Sequence, residues 1–196
     1  MIRFFDLLIS FSVLLLLLPF FLVICIIIIM DSRGGAFYKQ WRVGKDGKDF
    51  ELIKFRTMVA GAQKHGGLTI GARDSRITKS GLFLRRYKLD ELPQLINVLA
   101  GDMSLVGPRP EIRKYVDFYT PEQMNILSVR PGITDWASIE YISENEILGN
   151  ANDPEKEYIE VVLPAKIRLN RRYIENRGLR EYFKILFITA GKILRG

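Results

Sequence analysis

The chain has 196 residues, 48% of them hydrophobic and 26% charged, and its 29 Lys and Arg against 22 Asp and Glu give a formal net charge of +7. This length fits one domain, alone or with a small appendage. A single Cys and a single His exclude an internal disulfide and the zinc sites built from several Cys and His residues, so any catalysis must rely mainly on carboxylates, hydroxyls, Lys and Arg.

The N-terminal segment is the apolar part of the chain. Residues 7–30 carry no charge, and Ser10, Ser12 and Pro19 are the only ones outside the apolar set. A continuous helix of this length would measure about 36 Å, enough to cross a hydrocarbon core of about 30 Å. The run is too long for a secretory signal peptide, and no small-x-small cleavage site follows it. The sequence therefore predicts a membrane segment.

The topology of this segment depends on Pro19, which lies near its centre. A proline removes one helical hydrogen bond and crowds the preceding turn, so we expect a bend near residues 15–19. Two arrangements remain open, a kinked single-pass anchor and a re-entrant helix, broken at Pro19, that enters and leaves through one leaflet. The positive-inside rule places the basic body in the cytoplasm, and the re-entrant form would keep Arg3 there as well.

The remaining residues, 31–196, carry the whole net charge of +7, because Arg3 and Asp6 are the only charges before them. A basic body tethered to a bilayer indicates anionic lipid head groups, phosphorylated substrates, or both as partners. No basic run, zinc-finger spacing or aromatic RNA-binding motif is present, so we expect no nucleic-acid partner.

The pattern after residue 31 predicts a mixed α/β fold, mostly helical with a small β-hairpin. The hairpin is expected over 38–56, around a turn-rich stretch at 44–48. The glycine-rich stretch 61–74 is expected to be a mobile loop in which His65 is solvated. Helical spacing follows at 77–87 and again at 92–99.

Two basic helical stretches lie near the C-terminus. Residues 179–195 have an apolar face flanked by cations, which is typical either of a helix in the membrane interface or of an ordinary helix facing the core. Residues 166–173 are expected to be solvated or lipid-facing.

The candidate chemistry is concentrated in residues 85–94. Asp90 stands where a helix N-cap is favoured, with Pro93 tolerated in the first turn. The adjacent carboxylates of Asp90 and Glu91 suit a divalent cation, although an acidic pair at a helix start is also common as simple capping. Together with arginines at 56, 85 and 109, whose planar guanidinium groups bind phosphate oxygens, they predict a magnesium-dependent phosphate site.

A longer series of motifs identifies a family. These motifs are Gln40 and Arg42, the Gly44/Gly47 turn, Phe50, residues 54–58, Asp74, 76–78, Gly81, 84–85, 89–95, 97–99, 101–110 and 129–134. In order and spacing they resemble the bacterial sugar transferase family, the monotopic phosphoglycosyl transferases. The resemblance covers most of the chain after the hydrophobic segment, and that segment, with Pro19, is similar to the family's re-entrant membrane helix.

The resemblance implies a reaction and a location. A phosphosugar would move from a nucleotide diphosphate sugar, usually a UDP-sugar, to undecaprenyl phosphate, with release of UMP. This step would start membrane glycoconjugate or polysaccharide assembly at the cytoplasmic face of the inner membrane. Residues 1–30 would be the membrane-embedded helix, and residues 31–196 the cytoplasmic catalytic domain with helices at the membrane interface.

The resemblance also assigns roles to residues. Asp90 would be the nucleophile that forms a covalent phosphosugar intermediate and a ligand of Mg²⁺, with Glu91 as its partner in a catalytic dyad. The substrate-binding residues would be Arg56, Arg85, Arg109 and Arg130, which would bind the diphosphate or the lipid phosphate, and Pro108 and Pro110, which would hold Arg109 in place.

The chain departs from the family pattern at residues 135–141, so the sugar is left unidentified. Trp136 or Tyr141 would either stack on a base or serve in packing. The oligomeric state is also open, with a homodimer as one option. Two other classes compete with the enzyme: a non-enzymatic membrane scaffold, which would survive loss of the dyad, and a fragment of a multi-pass transferase, which needs further apolar spans of about 18 residues that are not seen after residue 30.

Overall fold

A computed structural model of the protein describes residues 1–62, 74–141 and 144–195, apart from the side chains of residues 145, 146, 194 and 195. His65 and most of the predicted 61–74 loop lie outside the described residues. Helices dominate the described chain, and they are α1 (Ile2–Asp31), α2 (Lys79–Arg86), α3 (Gln94–Ala100), α4 (Arg113–Val116), α5 (Trp136–Glu140), α6 (Glu144–Gly149), α7 (Pro154–Glu157), α8 (Leu163–Glu175) and α9 (Leu179–Arg195). The strands are β1 (Phe37–Val43), β2 (Asp49–Phe55), β3 (Ser104–Val106) and β4 (Gly132–Thr134).

The predicted hairpin is confirmed. Strands β1 and β2 are antiparallel, with Phe37 opposite Phe55 and Val43 opposite Asp49. Between them, Asp46 adopts a left-handed conformation within a short 3₁₀ turn, which aspartate tolerates better than most residues. The predicted mostly helical α/β composition is therefore confirmed as well.

The side chain of Asn97 docks helix α3 onto the hairpin. Its Oδ1 accepts a hydrogen bond from the Ile53 N–H at 3.0 Å, and its Nδ2 donates to the Glu51 carbonyl at 2.7 Å. The amide thus pairs with β2 as a neighbouring strand would. Helix α3 ends at Gly101, whose φ of 100° is the left-handed conformation that favours glycine, as the sequence pattern predicts.

A second sheet, of two parallel strands, was not evident in the sequence because each strand has only three residues. Ser104 lies opposite Gly132 and Val106 opposite Thr134. Just beyond β3, the backbones of Gly107 and Gly132 approach so closely that a Cβ on Gly132 would lie 2.1 Å from the Gly107 nitrogen. Only glycine allows this contact, which places the Gly107–Pro110 turn against β4.

Helix α1 lies along the rest of the protein and leaves most of its apolar surface uncovered. It is long and apolar enough to cross a membrane. Phe21 and Ile28 are buried, and Phe21 contacts the ring of Phe55 at 5.0 Å between centroids. The exposed apolar side chains of the helix are Phe4, Leu7, Leu8, Phe11, Leu15, Leu16, Leu18, Phe20, Leu22, Val23, Ile26, Ile27, Ile29 and Met30.

The helix continues through Pro19, so the expected interruption at this residue is not seen. A proline removes one hydrogen bond, but the neighbouring turns keep theirs, and such helices are tolerated in apolar surroundings.

Polar contacts bind the N-terminal end of α1 to the body. Asp6 is buried, and its Oδ1 accepts hydrogen bonds from the Ser104 hydroxyl at 3.0 Å, the Leu105 N–H at 3.0 Å and the Tyr182 hydroxyl at 2.9 Å. Arg3 donates to the carbonyls of Leu99 and Met103. The C-terminal end of α1 is also bound to the body, because Asp31 accepts hydrogen bonds from the N–H and hydroxyl of Ser80.

The C-terminal helix α9 forms over the predicted range, with one face buried in the core and an exposed face that carries cations beside Phe187. Tyr182 and Ile185 are fully buried in the core with Val98 and Met103, whereas Phe187 is 74% exposed. The core-facing interpretation therefore holds for one face, and the exposed face keeps the composition expected of an interfacial helix.

Candidate active site

A cavity of about 440 Å³ lies between the hairpin, the Leu89–Glu91 turn and the helices α5, α8 and α9. Asp90 and Glu91 line it together with the basic side chains of Lys54, Arg85 and Arg109. The structure thus brings together both acidic residues and two of the four arginines that the sequence singled out.

Asp90 is buried, with 8% of its surface exposed, in a single 3₁₀ turn, Leu89–Glu91. The turn follows Lys88, which adopts a left-handed conformation with a φ of 55°. Helix α3 begins later, at Gln94, and no side chain caps it. The predicted N-cap role of Asp90 is therefore wrong, since Leu92 and Pro93 separate its turn from the helix, and the carboxylate is left free for other contacts.

Glu91 is held by two cations. Its Oε1 lies 2.5 Å from Arg109 Nη2 and 3.2 Å from Lys54 Nζ, and its Oε2 accepts a hydrogen bond from Arg109 Nη1 at 3.2 Å. Burial alone would raise the pKa of Glu91, but the charges of Arg109 and Lys54 hold it well below its ordinary value. In return, Glu91 raises the pKa of Arg109. Glu91 is thus a permanent anion that fixes the positions of both cations.

Asp90 differs from Glu91 in its hydrogen bonds and in the direction in which its pKa is shifted. None of the described residues donates a hydrogen bond to its carboxylate, and burial raises its pKa above the ordinary value, with the charge of Glu91 adding to this and Lys54 opposing it. The acidic pair therefore has two distinct roles available: Glu91 organises the cations, and Asp90 is free to react or to bind a cation.

Arg85 is fixed next to the dyad by α2. Its Nε donates a hydrogen bond to the Thr57 hydroxyl at 2.8 Å, and Thr57 lies directly after the hairpin. Gly81 allows this approach, because a Cβ there would lie 2.1 Å from the Thr57 carbonyl oxygen. Burial lowers the pKa of Arg85, and the charge of Asp90 opposes this. The guanidinium remains charged because the ordinary pKa of arginine is so high.

Pro108 and Pro110 flank Arg109 in an extended segment whose carbonyls are both used. The Pro108 carbonyl accepts a hydrogen bond from the Gly132 N–H at 3.0 Å, and the Pro110 carbonyl accepts one from Arg42 at 3.1 Å. The Arg109 N–H donates to Asp135 at 3.1 Å. These contacts agree with a role of both prolines in holding Arg109, and neither lines the main cavity.

The structure places Arg56 and Arg130 away from the cavity. Arg56 is buried at the end of α1, where its guanidinium donates to the carbonyls of Ser32 at 2.7 Å and Arg33 at 2.5 Å and also contacts those of Ile28 and Gly34. The Nε of Arg130 donates to the Gly101 carbonyl at 2.7 Å. Arg56 thus serves as a cap for the C-terminal end of α1, and phosphate binding by these two residues stays a prediction.

The sequence analysis did not single out Lys54 as a site residue. Lys54 continues the face of β2 that buries Phe50 and Leu52, so a cation on an apolar strand face is the signal that identifies it. Burial lowers its pKa, and the charge of Glu91 opposes this.

At the other end of the cavity, Lys166 contradicts the expectation for residues 166–173. Lys166 is buried on the core face of α8, 3.0 Å from Glu144 and 3.4 Å from Glu111, whereas Arg168, Arg171 and Arg172 of the same stretch are exposed. The physical reason is the helical period, because Leu163, Lys166, Ile167 and Asn170 share one face.

The described residues do not form a metal site by themselves, since no group of three or more His, Cys, Asp or Glu residues is close enough together within them. Mg²⁺ is commonly held by one or two carboxylates together with phosphates of the substrate. Asp90, with no hydrogen bond from a described residue, fits a single ligand of a magnesium ion shared with a phosphorylated substrate, whereas Glu91 is already occupied by its two cations.

Comparison with known proteins supports the family resemblance found in the sequence. The sequence model of the family described as bacterial sugar transferase matches residues 1–196. The chain is 38% identical over 181 residues to the UDP-N-acetylgalactosamine-undecaprenyl-phosphate N-acetylgalactosaminephosphotransferase of Aeromonas hydrophila, covering 91% of this chain and 40% of the relative. It is 34% identical over 194 residues to the UDP-glucose:undecaprenyl-phosphate glucose-1-phosphate transferase of Escherichia coli, covering 95% of this chain and 39% of the relative.

A shorter relative is matched over most of its length. The uncharacterized sugar transferase EpsL of Bacillus subtilis is 38% identical over 194 residues, which cover 98% of this chain and 86% of that protein. The chain thus spans about two fifths of the Aeromonas and Escherichia proteins but nearly all of EpsL.

Proposed function

Because the chain belongs to the bacterial sugar transferase family, we propose that it transfers a phosphosugar from a UDP-sugar to undecaprenyl phosphate and releases UMP. The names of the Aeromonas and Escherichia relatives support both substrates. The observation that carries the proposal is the asymmetry of the dyad: Asp90 is buried and free of hydrogen bonds from described residues, while Glu91 is clamped by Arg109 and Lys54.

In the first step, an oxygen of the Asp90 carboxylate attacks the phosphorus that carries the sugar. The bond between this phosphorus and the oxygen bridging the two phosphates breaks, and UMP leaves with that oxygen. The product on the protein is an acyl phosphate that links Asp90 to the sugar phosphate. Attack by an anion on an anion requires local positive charge, which Lys54, Arg85 and Arg109 supply in fixed positions.

In the second step, a phosphate oxygen of undecaprenyl phosphate attacks the same phosphorus. The bond to Asp90 breaks, the carboxylate is regenerated, and the sugar is left on a lipid diphosphate. Magnesium, when bound at Asp90 and the substrate phosphates, would offset the negative charge that builds on those oxygens.

The membrane is the site of this reaction because one substrate is a lipid. The exposed apolar side chains of α1 support membrane binding, and the contacts of Asp6 and Asp31 with the body support a placement in which the unbroken helix keeps both ends at the cytoplasmic face. In a perpendicular span, Asp6, which lies about 38 Å from Asp31 along the helix at about 1.5 Å per residue, would be on the far side of the bilayer from the body.

The test is an assay with purified protein in lipid nanodiscs, undecaprenyl phosphate, Mg²⁺ and a panel of UDP-sugars. We expect UMP release, its loss with chelator, and a decrease of at least about 1,000-fold for Asp90→Asn, which keeps the shape but removes the nucleophilic charge. The conservative control is Asp46→Asn, because Asp46 lies in the hairpin turn. Release of UDP, or full activity of Asp90→Asn, would contradict the proposal.

The covalent step has a separate readout. Wild-type protein mixed with UDP-sugar in the absence of lipid acceptor should gain the mass of one sugar phosphate, on the peptide that contains Asp90. Turnover without any such adduct would favour direct transfer between the two substrates.

A further inference from the structure

The cavity continues beyond the dyad to a wall formed by α5 and the first residue of α6. Ser138 and Glu144 line this wall, in the part of the chain that includes its departure from the family pattern. At the dyad end the lining side chains are Lys54, Arg85, Lys88 and Arg109 against Asp90 and Glu91, an excess of two positive charges.

The far end carries a smaller excess, of one positive charge. There Lys166, Arg42 and Lys192, whose Nζ donates to the Ile139 carbonyl of α5, stand against Glu111 and Glu144, with Arg42 at 3.7 Å from Glu111. A diphosphate is therefore favoured at the dyad end, where the excess of positive charge is larger, and the far end, with two carboxylates, attracts a phosphate less.

Glu144 is an oriented hydrogen-bond acceptor. Its Oε2 accepts a hydrogen bond from Lys166 Nζ at 3.0 Å, and its Oε1 receives none from the described residues. The side chain is 26% exposed, so it faces space that a ligand can enter. Glu144 is also close enough to Arg109 to add to the rise in pKa that Glu91 causes there. The free oxygen thus lies within electrostatic reach of the diphosphate end.

Ser138 supplies a second polar group. Its Oγ is buried and has no hydrogen-bond partner within the described part of the chain. Its N–H is held by the Asp135 carboxylate at 2.6 Å, which fixes the residue in the first turn of α5. A buried hydroxyl without a partner is unfavourable, and a ligand hydroxyl or amide would relieve this.

We infer that Ser138 and Glu144 form the subsite for the sugar of the donor, in which the Glu144 carboxylate accepts hydrogen bonds from sugar hydroxyl or acetamido N–H groups and Ser138 pairs with one of them. This inference rests on the proposed function. The subsite takes a neutral, hydroxylated sugar ring, and the diphosphate lies toward Lys54 and Arg109. Lys166 positions Glu144, and Glu111 balances the remaining charge of Lys166.

The experiment compares ligands that share the nucleotide but differ in the sugar. Binding of UMP and of four UDP-sugars (glucose, galactose, N-acetylglucosamine and N-acetylgalactosamine) is measured by calorimetry on protein in nanodiscs that carries Asp90→Asn, so that nothing is consumed. We expect Glu144→Gln to weaken the tightest UDP-sugar by about 10- to 100-fold, the range for a hydrogen bond to a charged group. We expect UMP binding to change less than about twofold.

Ser138→Ala, a smaller change, should weaken the same UDP-sugar by about 3- to 10-fold. The matched control is Glu140→Gln, on the exposed end of α5, which should alter neither ligand. Melting temperatures of all variants show whether each one folds.

Equal weakening of UMP binding and UDP-sugar binding would place the nucleoside at this wall. Unchanged binding of all four UDP-sugars in both folded variants would show that no ligand contacts the wall. Either result overturns the inference. Failure of the proposed function looks different, because wild-type protein would then release no UMP from any donor, whatever the two wall variants do to binding.

Discussion

Asp90 and Glu91 are neighbours in one turn, yet their surroundings give them opposite protonation behaviour. Glu91 has two cations within 3.2 Å, and its pKa is far below the ordinary value. Asp90 has no hydrogen bond from a described residue, and burial raises its pKa. At acid pH the proton therefore resides first on Asp90, which is the group that must be ionised to attack.

This assignment predicts the effect of Lys54 on pH dependence. The charge of Lys54 lowers the pKa of Asp90, so Lys54→Met should raise that pKa. Because activity is lost as pH falls through the pKa of the nucleophile, the acid limb of kcat/KM should move to higher pH.

Lys54→Arg, which keeps the charge, is the control and should leave the acid limb near its wild-type position, whatever happens to the maximal rate. A limb that stays fixed in Lys54→Met, measured from pH 4 to 8, would mean that another group controls it.

The elements around the site depend on a few long-range polar contacts. Asn97 holds β2 against α3, and through β2 it sets the distance between Lys54 and Glu91. We expect Asn97→Ala to lower the free energy of unfolding by about 2 kcal/mol, since two hydrogen bonds are lost.

For a chain of this size that loss corresponds to a decrease in Tm of roughly 4 to 8 °C. Thermal melting in detergent or nanodiscs measures it, with exposed Asn125→Ala as the control. A Tm within 1 °C of wild type, taken as about the error of such a measurement, would show that the docking contributes little.

Local patterns predicted the elements better than they predicted their contacts. The hairpin, α3 with its glycine end, and α9 follow from alternation, helical period and turn residues, all of which are local. The β3–β4 pair was missed because three-residue strands carry no alternation. The capping of α1 by Arg56 and the burial of Lys166 were not predicted because their partners, the carbonyls ending α1 and the carboxylate of Glu111, lie 22 or more residues away in the chain.

For the molecule as a whole, the two ends of α1 determine its relation to the membrane. Asp6 accepts three hydrogen bonds from the body, so we expect the first turn of α1 to remain at the cytoplasmic face. A cysteine at Ile2, in a Cys25→Ala background, should resist membrane-impermeant thiol reagents in intact cells and react after permeabilisation.

Adding Asp6→Ala to that protein removes the acceptor for all three hydrogen bonds. A fraction of the molecules should then adopt a spanning helix, and their cysteine should become labelled in intact cells. Ser12→Ala, on an exposed position of the same helix, is the control. Labelling that occurs without Asp6→Ala would establish a spanning anchor and leave the catalytic assignment unaffected.

The burial of Asp6 also has a consequence for biosynthesis. The helix that carries this carboxylate is made before its partners, because Ser104 follows 98 residues later and Tyr182 follows 176 residues later. At about 5 to 20 residues per second, the ribosome needs roughly 9 to 35 s to supply the last partner. During that interval the carboxylate of Asp6 lacks these partners and must stay near water, which favours a position of the nascent apolar helix at the bilayer surface. All three hydrogen bonds to Asp6 can form only after α9 has been made.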